Sequence, residues 1–388
     1  MSELITYRLD EIADVIDCEH KTAPKVDSSE YYSIRTPDIK NGRLLYEQAN
    51  RVSAETYALW TKRSIPEAVD IILAREAPVG EVGWIDKDHK ICLGQRTVLI
   101  KIHSTEIDKK YLLYSFVSSK FKDYLNELSG GSVVAHLNMK DIRALEFSFP
   151  PLPEQKAIAS VLSSLDDKID LLHRQNKTLE AMAETLFRQW FIEDTAGKTE
   201  LITLGEMIEI HDSKRIPLSK LERDKKKNGS IMYPYYGAAK IMDYVDDYIF
   251  DGDYLLLGED GTVQDENGYP ILQRANGKFW VNNHAHVLSA KAPYNNFFLW
   301  CLLSKTNIEK AVTGAVQPKI NQENLRKLDF VKFDESKVLD FNDITSSMLN
   351  KLNTNNLQIQ TLENLRDTLL PKLMSGEVRV QYQTEEVA

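Results

Sequence analysis

The sequence lacks the features that mark secreted, membrane-bound and disulfide-rich proteins. Its three cysteines, Cys18, Cys92 and Cys301, are too far apart for a disulfide framework or a CxxC metal site. No apolar run approaches the roughly 18 residues that a membrane span needs, and the first residues lack the pattern of a signal peptide. We therefore expect a cytoplasmic protein with reduced cysteines and no membrane contact.

Motifs of common enzymes are also missing. Gly197-Lys198-Thr199 is typical of the end of a phosphate-binding loop, but Ile192 occupies the place of the loop's first glycine. The sequence has no GxGxxG, HExxH or GxSxG, and no Asn/Asp-Pro-Pro-Tyr/Phe tetrapeptide of the kind that amino-methyltransferases use. A stand-alone methyltransferase of that kind would need this tetrapeptide. His284-Ala285-His286 has no cysteine or acidic partner at ligand spacing, so we expect no metal site.

Charge and length set further bounds. The 388 residues are 43% hydrophobic, which excludes a disordered chain, and the length predicts two or three domains. The net charge of −10 argues against a protein that binds polyanions without specificity. It remains compatible with a protein that reads DNA through a few placed cations.

An internal repeat organises the chain. Leu137-Asn138 corresponds to Ile320-Asn321 at a spacing of 183 residues, and Thr178-Leu179-Glu180 corresponds to Thr361-Leu362-Glu363. Glu76 and Glu259 also match at this spacing. Because the matches keep their order, we expect two copies of one architecture with a pseudo-two-fold relation.

Each copy is predicted to contain a globular α+β part followed by a long helix. Short apolar runs bounded by Gly, Asn and Asp indicate strands, and Asn276-Gly277 indicates a hairpin tip. After Pro150-Pro151-Leu152-Pro153 there is no Pro or Gly until Gly197, which favours a helix. The predicted segments are 1–150 and 196–335 for the globular domains, and 151–195 and 336–388 for the helices and C-terminal tail.

Apolar residues in both helical segments alternate at spacings of four and three, as in the seam of a coiled coil. A single core-facing helix is the simpler alternative, but two copies of similar length favour antiparallel pairing. If Asn176 faces Asn355, Leu172 meets Ile359 and Leu179 meets Leu352. The first helix would span roughly 50 Å. The predicted seam consists of Ile158, Leu162, Leu165, Ile169, Leu172, Asn176, Leu179, Leu186, Met348, Leu352, Asn355, Ile359, Leu362 and Leu369.

Phe149-Pro150-Pro151-Leu152-Pro153-Glu154-Gln155 at the start of a long helix resembles the specificity subunit of type I restriction–modification enzymes. Leu186-Phe187-Arg188-Gln189-Trp190-Phe191, Tyr233-Pro234-Tyr235-Tyr236-Gly237-Ala238 and the stretch ending Leu373-Met374-Ser375-Gly376-Glu377 resemble the same family. The resemblance covers essentially the whole chain. The second helix departs from it, because Phe333-Asp334-Glu335 replaces the proline-rich start.

The resemblance implies that each of two target-recognition domains reads one half of a bipartite sequence in double-stranded DNA. It implies that the helix pair sets the gap between the half-sites and docks two modification subunits, which use S-adenosylmethionine. Restriction subunits that use ATP and Mg would complete the complex. The resemblance also implies that this chain carries no catalysis itself, and no cofactor is expected in it.

Physical criteria give the candidate DNA contacts, because recognition domains diverge with their targets. Basic and small polar side chains contact phosphates and base edges, and an arginine such as Arg96 can bind guanine through two hydrogen bonds. The three tyrosines among the candidates are as easily explained as core residues. The candidates are Arg35, Lys40, Arg51, Lys62, Arg63, Arg75, Arg96, Ser132, His136, Lys140, Lys214, Arg215, Tyr233, Tyr235, Tyr236, Lys240, Arg274, Lys278, His284 and Lys319.

Two other interpretations remain open from the sequence alone. A coiled-coil scaffold protein would use its globular domains to bind something other than DNA. A DNA-modifying enzyme with a diverged catalytic site would transfer methyl groups without partner subunits.

Overall fold

A computed structural model describes residues 4–76, 78–87, 89–128, 136–193, 199–229, 231–314 and 317–381, together with all side chains in these ranges except those of Asn126 and Leu128. The chain forms two compact units. The first contains residues 1–172 and 357–388, and the second contains residues 173–356. Each unit includes part of each long helix, so the units do not coincide with the segments expected from the sequence.

The first unit contains eleven strands among its described residues, in a two-stranded, a six-stranded and a three-stranded sheet. The strands are β1 (Ile5–Arg8), β2 (Ala13–Asp17), β3 (Tyr31–Ile34), β4 (Ile39–Lys40), β5 (Gly42–Leu44), β6 (Asn50–Val52), β7 (Ile71–Ala74), β8 (Val82–Trp84), β9 (Lys90–Leu93), β10 (Thr97–Ile102) and β11 (Glu146–Phe149). The helices are α1 (Leu9–Ile12), α2 (Ala54–Trp60), α3 (Lys109–Val117), α4 (Ser119–Leu128), α5 (Met139–Arg143) and α6 (Leu152–Phe187), the last of which continues into the second unit.

The second unit repeats this plan. Its strands are β12 (Leu201–Thr203), β13 (Ile208–Ile210), β14 (Tyr233–Tyr236), β15 (Ile241–Val245), β16 (Phe250–Gly258), β17 (Leu272–Val281), β18 (Ala285–Ala290), β19 (Val312–Thr313), β20 (Lys319–Ile320) and β21 (Asp329–Val331). Its helices are α7 (Leu204–Met207), α8 (Lys220–Lys225), α9 (Asn296–Leu303), α10 (Gln322–Arg326) and α11 (Glu335–Ser375), the last of which continues into the first unit.

The six-stranded sheets have corresponding strand orders, β2-β10-β7-β8-β5-β4 and β13-β18-β16-β17-β14-β15. In both, the second strand of this order pairs antiparallel with two neighbours, β10 with β2 and β7 in the first sheet, and β18 with β13 and β16 in the second. The first four residues of β10 and of β18 are buried, and a buried strand needs a largely apolar sequence. The predicted mixed α+β fold with an internal repeat is confirmed.

The hairpin tip predicted at Asn276-Gly277 is wrong. These residues lie in the middle of the continuous strand β17, where Gly277 pairs with Gly252 of β16. Gly277 has φ +77° and Gly252 has φ +144°, conformations that side chains disfavour. The glycines therefore accommodate an irregular backbone within the ladder, and the turn-like sequence does not end the strand.

The repeated Leu-Asn motif has a local explanation. The Asn138 side chain accepts hydrogen bonds from the backbone N–H groups of Lys140 and Asp141 at the start of α5. The Asn321 side chain does the same for Asn324 at the start of α10. An N-cap asparagine satisfies helix N–H groups that have no partner within the helix. The buried residue before each asparagine, Leu137 or Ile320, anchors the helix in the core.

The two long helices begin in different ways. In α6 the buried Gln155 side chain donates to the Pro150 carbonyl oxygen at 2.9 Å and accepts from the backbone N–H of Asp108 at 2.9 Å. In α11 the Asp334 side chain accepts from the backbone N–H groups of Ser336 and Lys337. An ordinary acidic N-cap thus replaces the proline-rich start of the first copy.

The two helices pair antiparallel within each unit. In the first unit, Ile169 and Leu172 form an apolar cluster with Ile359 and Leu362. In the second unit, the Asn355 side chain donates to the Asn176 side chain at 2.8 Å. Asn355 is fully buried, so this pair lies inside the seam. Of the remaining predicted seam residues, Ile158 and Leu162 continue into the core of the first unit, while Leu186 and Met348 pack against the core of the second.

The helices join the globular part of each unit in chemically different ways. In the first unit, Asp166 of α6 accepts hydrogen bonds from the Tyr114 hydroxyl at 2.7 Å and from Arg366 of α11 at 3.0 Å, and Arg43 also contacts it. Burial, with the nearby Asp166 charge, raises the pKa of the Tyr114 hydroxyl. A cavity of about 490 Å³ adjoins this polar network.

The corresponding junction of the second unit is aromatic. Phe341 of α11 is fully buried, and its ring lies 5.7 Å from Phe187 and 5.5 Å from Phe191 of the first helix segment. Phe298 and Phe333 complete an edge-to-face cluster. Such ring pairs add stabilisation beyond the burial of their area. In the described part of the chain, no helix is both long and apolar enough to cross a membrane.

Candidate nucleic-acid interface at two equivalent sheet ends

Strand pairing gathers charged residues at one end of the first six-stranded sheet. Val98 of β10 pairs with Asp17 of β2, and Thr97 pairs with Ala74 of β7. Because these strands are antiparallel, the residue that precedes β10 and those that follow β7 lie at the same edge. The residues there are Asp17, Arg75, Glu76 and Arg96.

Glu76 is the centre of this cluster. The Arg96 Nε atom lies 2.8 Å from one Glu76 oxygen, and the His136 Nδ1 atom lies 2.6 Å from the other. The Glu76 side chain is only 20% exposed, whereas those of Arg96 and His136 are 54% and 42% exposed. The carboxylate is thus set back in the surface, with two potential hydrogen-bond donors on its solvent side.

The second sheet has a matching cluster. The His284 Nδ1 atom lies 2.6 Å from an Asp260 oxygen, and Lys319 lies 3.2 Å from Glu259. His284 and Lys319 are about half exposed, while both carboxylates are largely covered. Arg215 also contacts Glu259, at 2.6 Å.

Backbone hydrogen bonds establish which positions correspond. The N–H of Arg75 donates to the carbonyl oxygen of Arg96, and the N–H of Glu259 donates to that of His284. Glu76 forms an isolated bridge with His136, and Asp260 forms one with Lys319. Glu76 therefore corresponds to Asp260, Arg96 to His284 and His136 to Lys319.

This correspondence corrects the match of Glu76 with Glu259. The structural counterpart of Glu259 is Arg75, so the charge at this position is reversed between the copies. Arg75 pairs with Asp17 at 3.2 Å, whereas Glu259 pairs with Arg215. The spacing between corresponding residues differs by one residue at this point. A sequence comparison at the constant spacing of 183 therefore pairs Glu76 with Glu259 and does not show the reversal.

A buried hydrogen-bonded pair adjoins the second cluster. His286 Nδ1 contacts Asp212 at 2.6 Å, and its Nε2 donates to the Ile320 carbonyl oxygen at 2.9 Å. Burial raises the pKa of the Asp212 carboxyl, but the hydrogen bond and charge of His286 outweigh it and leave that pKa below its ordinary value. The pKa of Glu259 is lowered in the same way, with Arg215 and His286 outweighing burial.

Among the residues that the structure describes, two groups of side chains have atoms close enough together to hold a metal ion. They are Asp212, Glu259 and His286, and Asp17, Cys18 and His20. In the first group both His286 nitrogens already make hydrogen bonds, and Arg215 contacts the carboxylates. In the second, Arg75 neutralises Asp17, and burial raises the pKa of the Cys18 thiol. These contacts fit ion-pair networks better than metal centres.

The backbone at Arg96 is unusual. Its φ is +68°, in the left-handed region where a side chain costs conformational energy. A residue retained in a disfavoured conformation at an exposed site is a candidate for function. The conformation also places Arg96 beside Glu76.

The structure does not support five of the predicted contacts. Arg75 and Arg215 are only 12% exposed and make internal ion pairs, so they support the fold. Tyr235 and Tyr236 are buried, and the backbone N–H of Leu218 donates to the Tyr235 hydroxyl. Arg274 packs over the ring of Phe297 at 5.1 Å, away from the sheet end. Aromatic and basic residue types alone do not distinguish these roles.

The remaining candidates lie around or beyond the clusters. Arg35 pairs with Asp38, Arg63 with Glu19, and Arg51 stacks over Tyr32 at 3.7 Å. Lys278 lies 4.4 Å from the ring of Tyr248 and 6.0 Å from that of Tyr233. Ser132 falls outside the described residues. Five further candidates are exposed lysines that have no charged partner among the described residues: Lys40, Lys62, Lys140, Lys214 and Lys240.

Sequence reasoning missed Glu76 and Asp260 as members of the site. Each lies two residues after a strand whose last four residues are buried, which is a signal for the end of a sheet strand. Their partners, Arg96 and His284, come from a different strand connection, and only the pairing of β7 with β10 and of β16 with β18 brings them together.

Comparisons with known proteins agree with this architecture. A family model described as the type I restriction modification DNA specificity domain matches residues 1–181 and 197–331. The type I restriction enzyme MjaIX specificity subunit of Methanocaldococcus jannaschii is 25% identical over 405 residues, which cover 95% of this chain and 93% of that protein. The EcoprrI specificity subunit of Escherichia coli is 24% identical and covers 76% of this chain and 74% of its own length.

A solved structure shares the fold. The crystal structure of a type I restriction–modification system S subunit from M. genitalium aligns with a TM-score of 0.60 and 18% identity, covering 96% of both chains. Two copies of the specificity domain thus account for most of the sequence, as the internal repeat requires. The chain belongs to the type I restriction modification DNA specificity family.

Proposed function

We propose that this chain reads a bipartite sequence in double-stranded DNA, with one sheet end contacting each half-site. The observation that carries the proposal is the duplicated cluster, Glu76 with Arg96 and His136, and Asp260 with His284, beside Lys319. Base edges are recognised by fixed hydrogen-bonding groups, which such a cluster supplies. Catalysis lies in partner subunits of the restriction–modification complex.

Exposed lysines would support recognition of DNA by attracting its phosphates. Lys40, Lys62 and Lys140 in the first unit, and Lys214 and Lys240 in the second, are exposed and have no charged partner among the described residues. Phosphate contacts position a protein on a duplex without specifying its sequence. A division of labour follows, in which lysines supply affinity and the carboxylate-centred clusters supply specificity.

The helices have a separate role in the proposal. Their paired length sets the number of unread base pairs between the half-sites, and their outer faces dock two modification subunits that use S-adenosylmethionine. Restriction subunits using ATP and Mg join that complex. Exposed apolar residues on the helices, including Met182 at 51% and Leu357 at 66% exposure, are typical of protein interfaces.

Exchange of one recognition domain tests the proposal. Residues 196–335 are replaced by the corresponding segment of a family member with another target, and the chain is assembled with its modification subunits. Methylated sites are then mapped by sequencing. We expect one half-site to change, while the other half-site and the gap stay the same.

The complementary variant lengthens both helices. One helical turn is inserted next to Asn176 in α6, and one is inserted next to Asn355 in α11. This variant should widen the gap and leave both half-sites unchanged. A change in a half-site without a change in the gap would contradict the assignment of roles.

A scaffold protein is the alternative function. Salt titration separates the two possibilities, because DNA binding that neutralises phosphates weakens steeply as salt rises. A complex that shows neither salt-dependent nor sequence-selective binding to duplex DNA would favour the scaffold.

A further inference from the structure

The two carboxylate-held side chains leave their outer nitrogens unoccupied. Glu76 contacts Arg96 through Nε, the guanidinium nitrogen nearest the chain. The two terminal Nη groups have no hydrogen-bond partner in the described parts of the chain. Asp260 contacts His284 through Nδ1, and Nε2 likewise has no described partner. In both units an inner nitrogen is fixed and the outer nitrogens point away from the carboxylate.

This arrangement suits a reader of bases. A guanidinium held at Nε presents two parallel N–H donors, which match the O6 and N7 acceptors of guanine in the major groove. Fixing the side chain beforehand reduces the conformational entropy lost on binding. An unpaired surface lysine has neither two parallel donors nor a fixed position.

The duplication adds a second, independent observation. The pairs occupy corresponding positions, established by backbone hydrogen bonds, although the pair is Glu with Arg in the first unit and Asp with His in the second. The carboxylate–donor pairing persists while the identity of the donor differs. A pair that changes chemically while keeping its geometry is expected at the position that sets specificity.

We propose that Glu76–Arg96 and Asp260–His284 are equivalent base-reading pairs, and that the first specifies a guanine in its half-site. This inference rests on the proposed function and names its base contact. Arg96 and His284 contact the bases, and Glu76 and Asp260 act as positioning residues. His284 offers one nitrogen where Arg96 offers two, so the second position discriminates less strongly.

The experiment uses the complex of this chain with its modification subunits and a library of duplexes randomised at the target. Bound duplexes are sequenced for Arg96→Ala, Arg96→Lys, Glu76→Ala and Glu76→Gln. Bidentate recognition gives about 5- to 150-fold preference for guanine. We expect Arg96→Ala to reduce it to near equality at one position, and Arg96→Lys to reduce it by less, because an ammonium group also donates to guanine but lacks the planar pair of donors. The second half-site and the gap should stay unchanged.

The Glu76 variants test positioning. Glu76→Gln keeps an oxygen that accepts from Nε and should retain most of the preference for guanine, whereas Glu76→Ala should lose a substantial part of it. If Glu76→Ala weakens binding to every duplex equally and leaves base preferences intact, its role is only structural and the inference fails. Arg8→Ala is the matched control, because Arg8 of β1 makes a surface ion pair with Asp10 of α1, outside the cluster around Glu76.

A transplanted pair tests the equivalence without loss of function. Asp260→Glu combined with His284→Arg should create a preference for guanine at one position of the second half-site. Unaltered specificity in this variant and in Arg96→Ala would overturn the inference while leaving bipartite recognition intact. Failure of the wild-type complex to select any sequence would instead overturn the proposed function.

Discussion

At the residue scale, the same kinds of side chain serve two purposes at the sheet ends. Arg75 and Arg215 are enclosed and hold their own carboxylates, whereas Arg96 and His284 are about half exposed. The sequence predicted all four as DNA contacts because residue type and local charge do not reveal burial. Exposure depends on which strands are neighbours, and that is a property of the tertiary structure.

The left-handed conformation of Arg96 makes a stability prediction. Arg96→Gly and Arg96→Ala remove the same ion pair, but only glycine adopts φ +68° without steric cost. We expect Arg96→Gly to exceed Arg96→Ala by about 1 kcal/mol in the free energy of unfolding. Urea denaturation of the two variants measures this difference, and equal stabilities would show that the backbone there relaxes.

The buried Asp212–His286 pair makes a pH prediction. Because the folded state lowers the pKa of Asp212, its stabilisation is complete above its ordinary value of about 4 and is lost as pH falls through the lowered value. Asp212→Asn should lower the free energy of unfolding by about 3–5 kcal/mol at pH 7. The substitution should also make the free energy of unfolding fall less steeply as the pH is lowered into the acid range.

Denaturation of both proteins between pH 2 and pH 7 checks this. Asp340→Asn, which alters an exposed carboxylate of α11, is the control and should leave the profile unchanged. If the free energy of unfolding falls as steeply at acid pH in Asp212→Asn as in the wild-type protein, the pH dependence comes from other groups.

At the element scale, the strongest sequence periodicities gave the most accurate predictions. The heptad pattern led to two antiparallel helices, which the structure has as α6 and α11. The prediction at Asn276-Gly277 failed because glycine also occurs where a strand is irregular. Local sequence signals a departure from regular backbone, but whether that departure is a turn depends on the partner strand.

The asparagine pair of the seam makes a prediction about register. Asn355 is fully buried and its Oδ1 atom has no hydrogen-bond partner in the described structure. Replacing both Asn176 and Asn355 by Leu should raise the free energy of unfolding by about 1–3 kcal/mol. The same change should let the helices slip by one heptad, since a buried polar pair specifies register.

Disulfide trapping measures the register directly. With the asparagines present, cysteines at 179 and 352 should cross-link and cysteines at 179 and 345 should not. In the double-Leu protein both pairs should cross-link. Cross-linking of the second pair with the asparagines in place would contradict the register.

At the scale of the whole molecule, acidity and DNA recognition have to be reconciled. The net charge of −10 opposes approach to a polyanion, and the exposed donors are few. Family membership and the repeated fold follow from sequence signals distributed along the chain. The base-reading pairs do not, because each is assembled from two strand connections, whose paired residues are 20 positions apart in the first unit and 24 in the second.

The isolated chain is therefore expected to bind duplex DNA weakly. Fluorescence anisotropy at physiological salt should give an affinity for the chain alone close to the nonspecific range of about 10⁻⁴–10⁻⁶ M. Adding modification subunits should tighten it and introduce sequence preference. Tight, specific binding by the chain alone would place most of the affinity in this subunit.

The reversed charge at Arg75 and Glu259 limits how new specificities arise. A single residue copied from one domain into the other would set Arg opposite Arg215, or Glu opposite Asp17, and like charges would meet in a covered site. Point-by-point gene conversion between the two halves would thus yield unstable intermediates. Recombination of whole domains carries each charge together with its partner, which makes the domain the natural unit of inheritance.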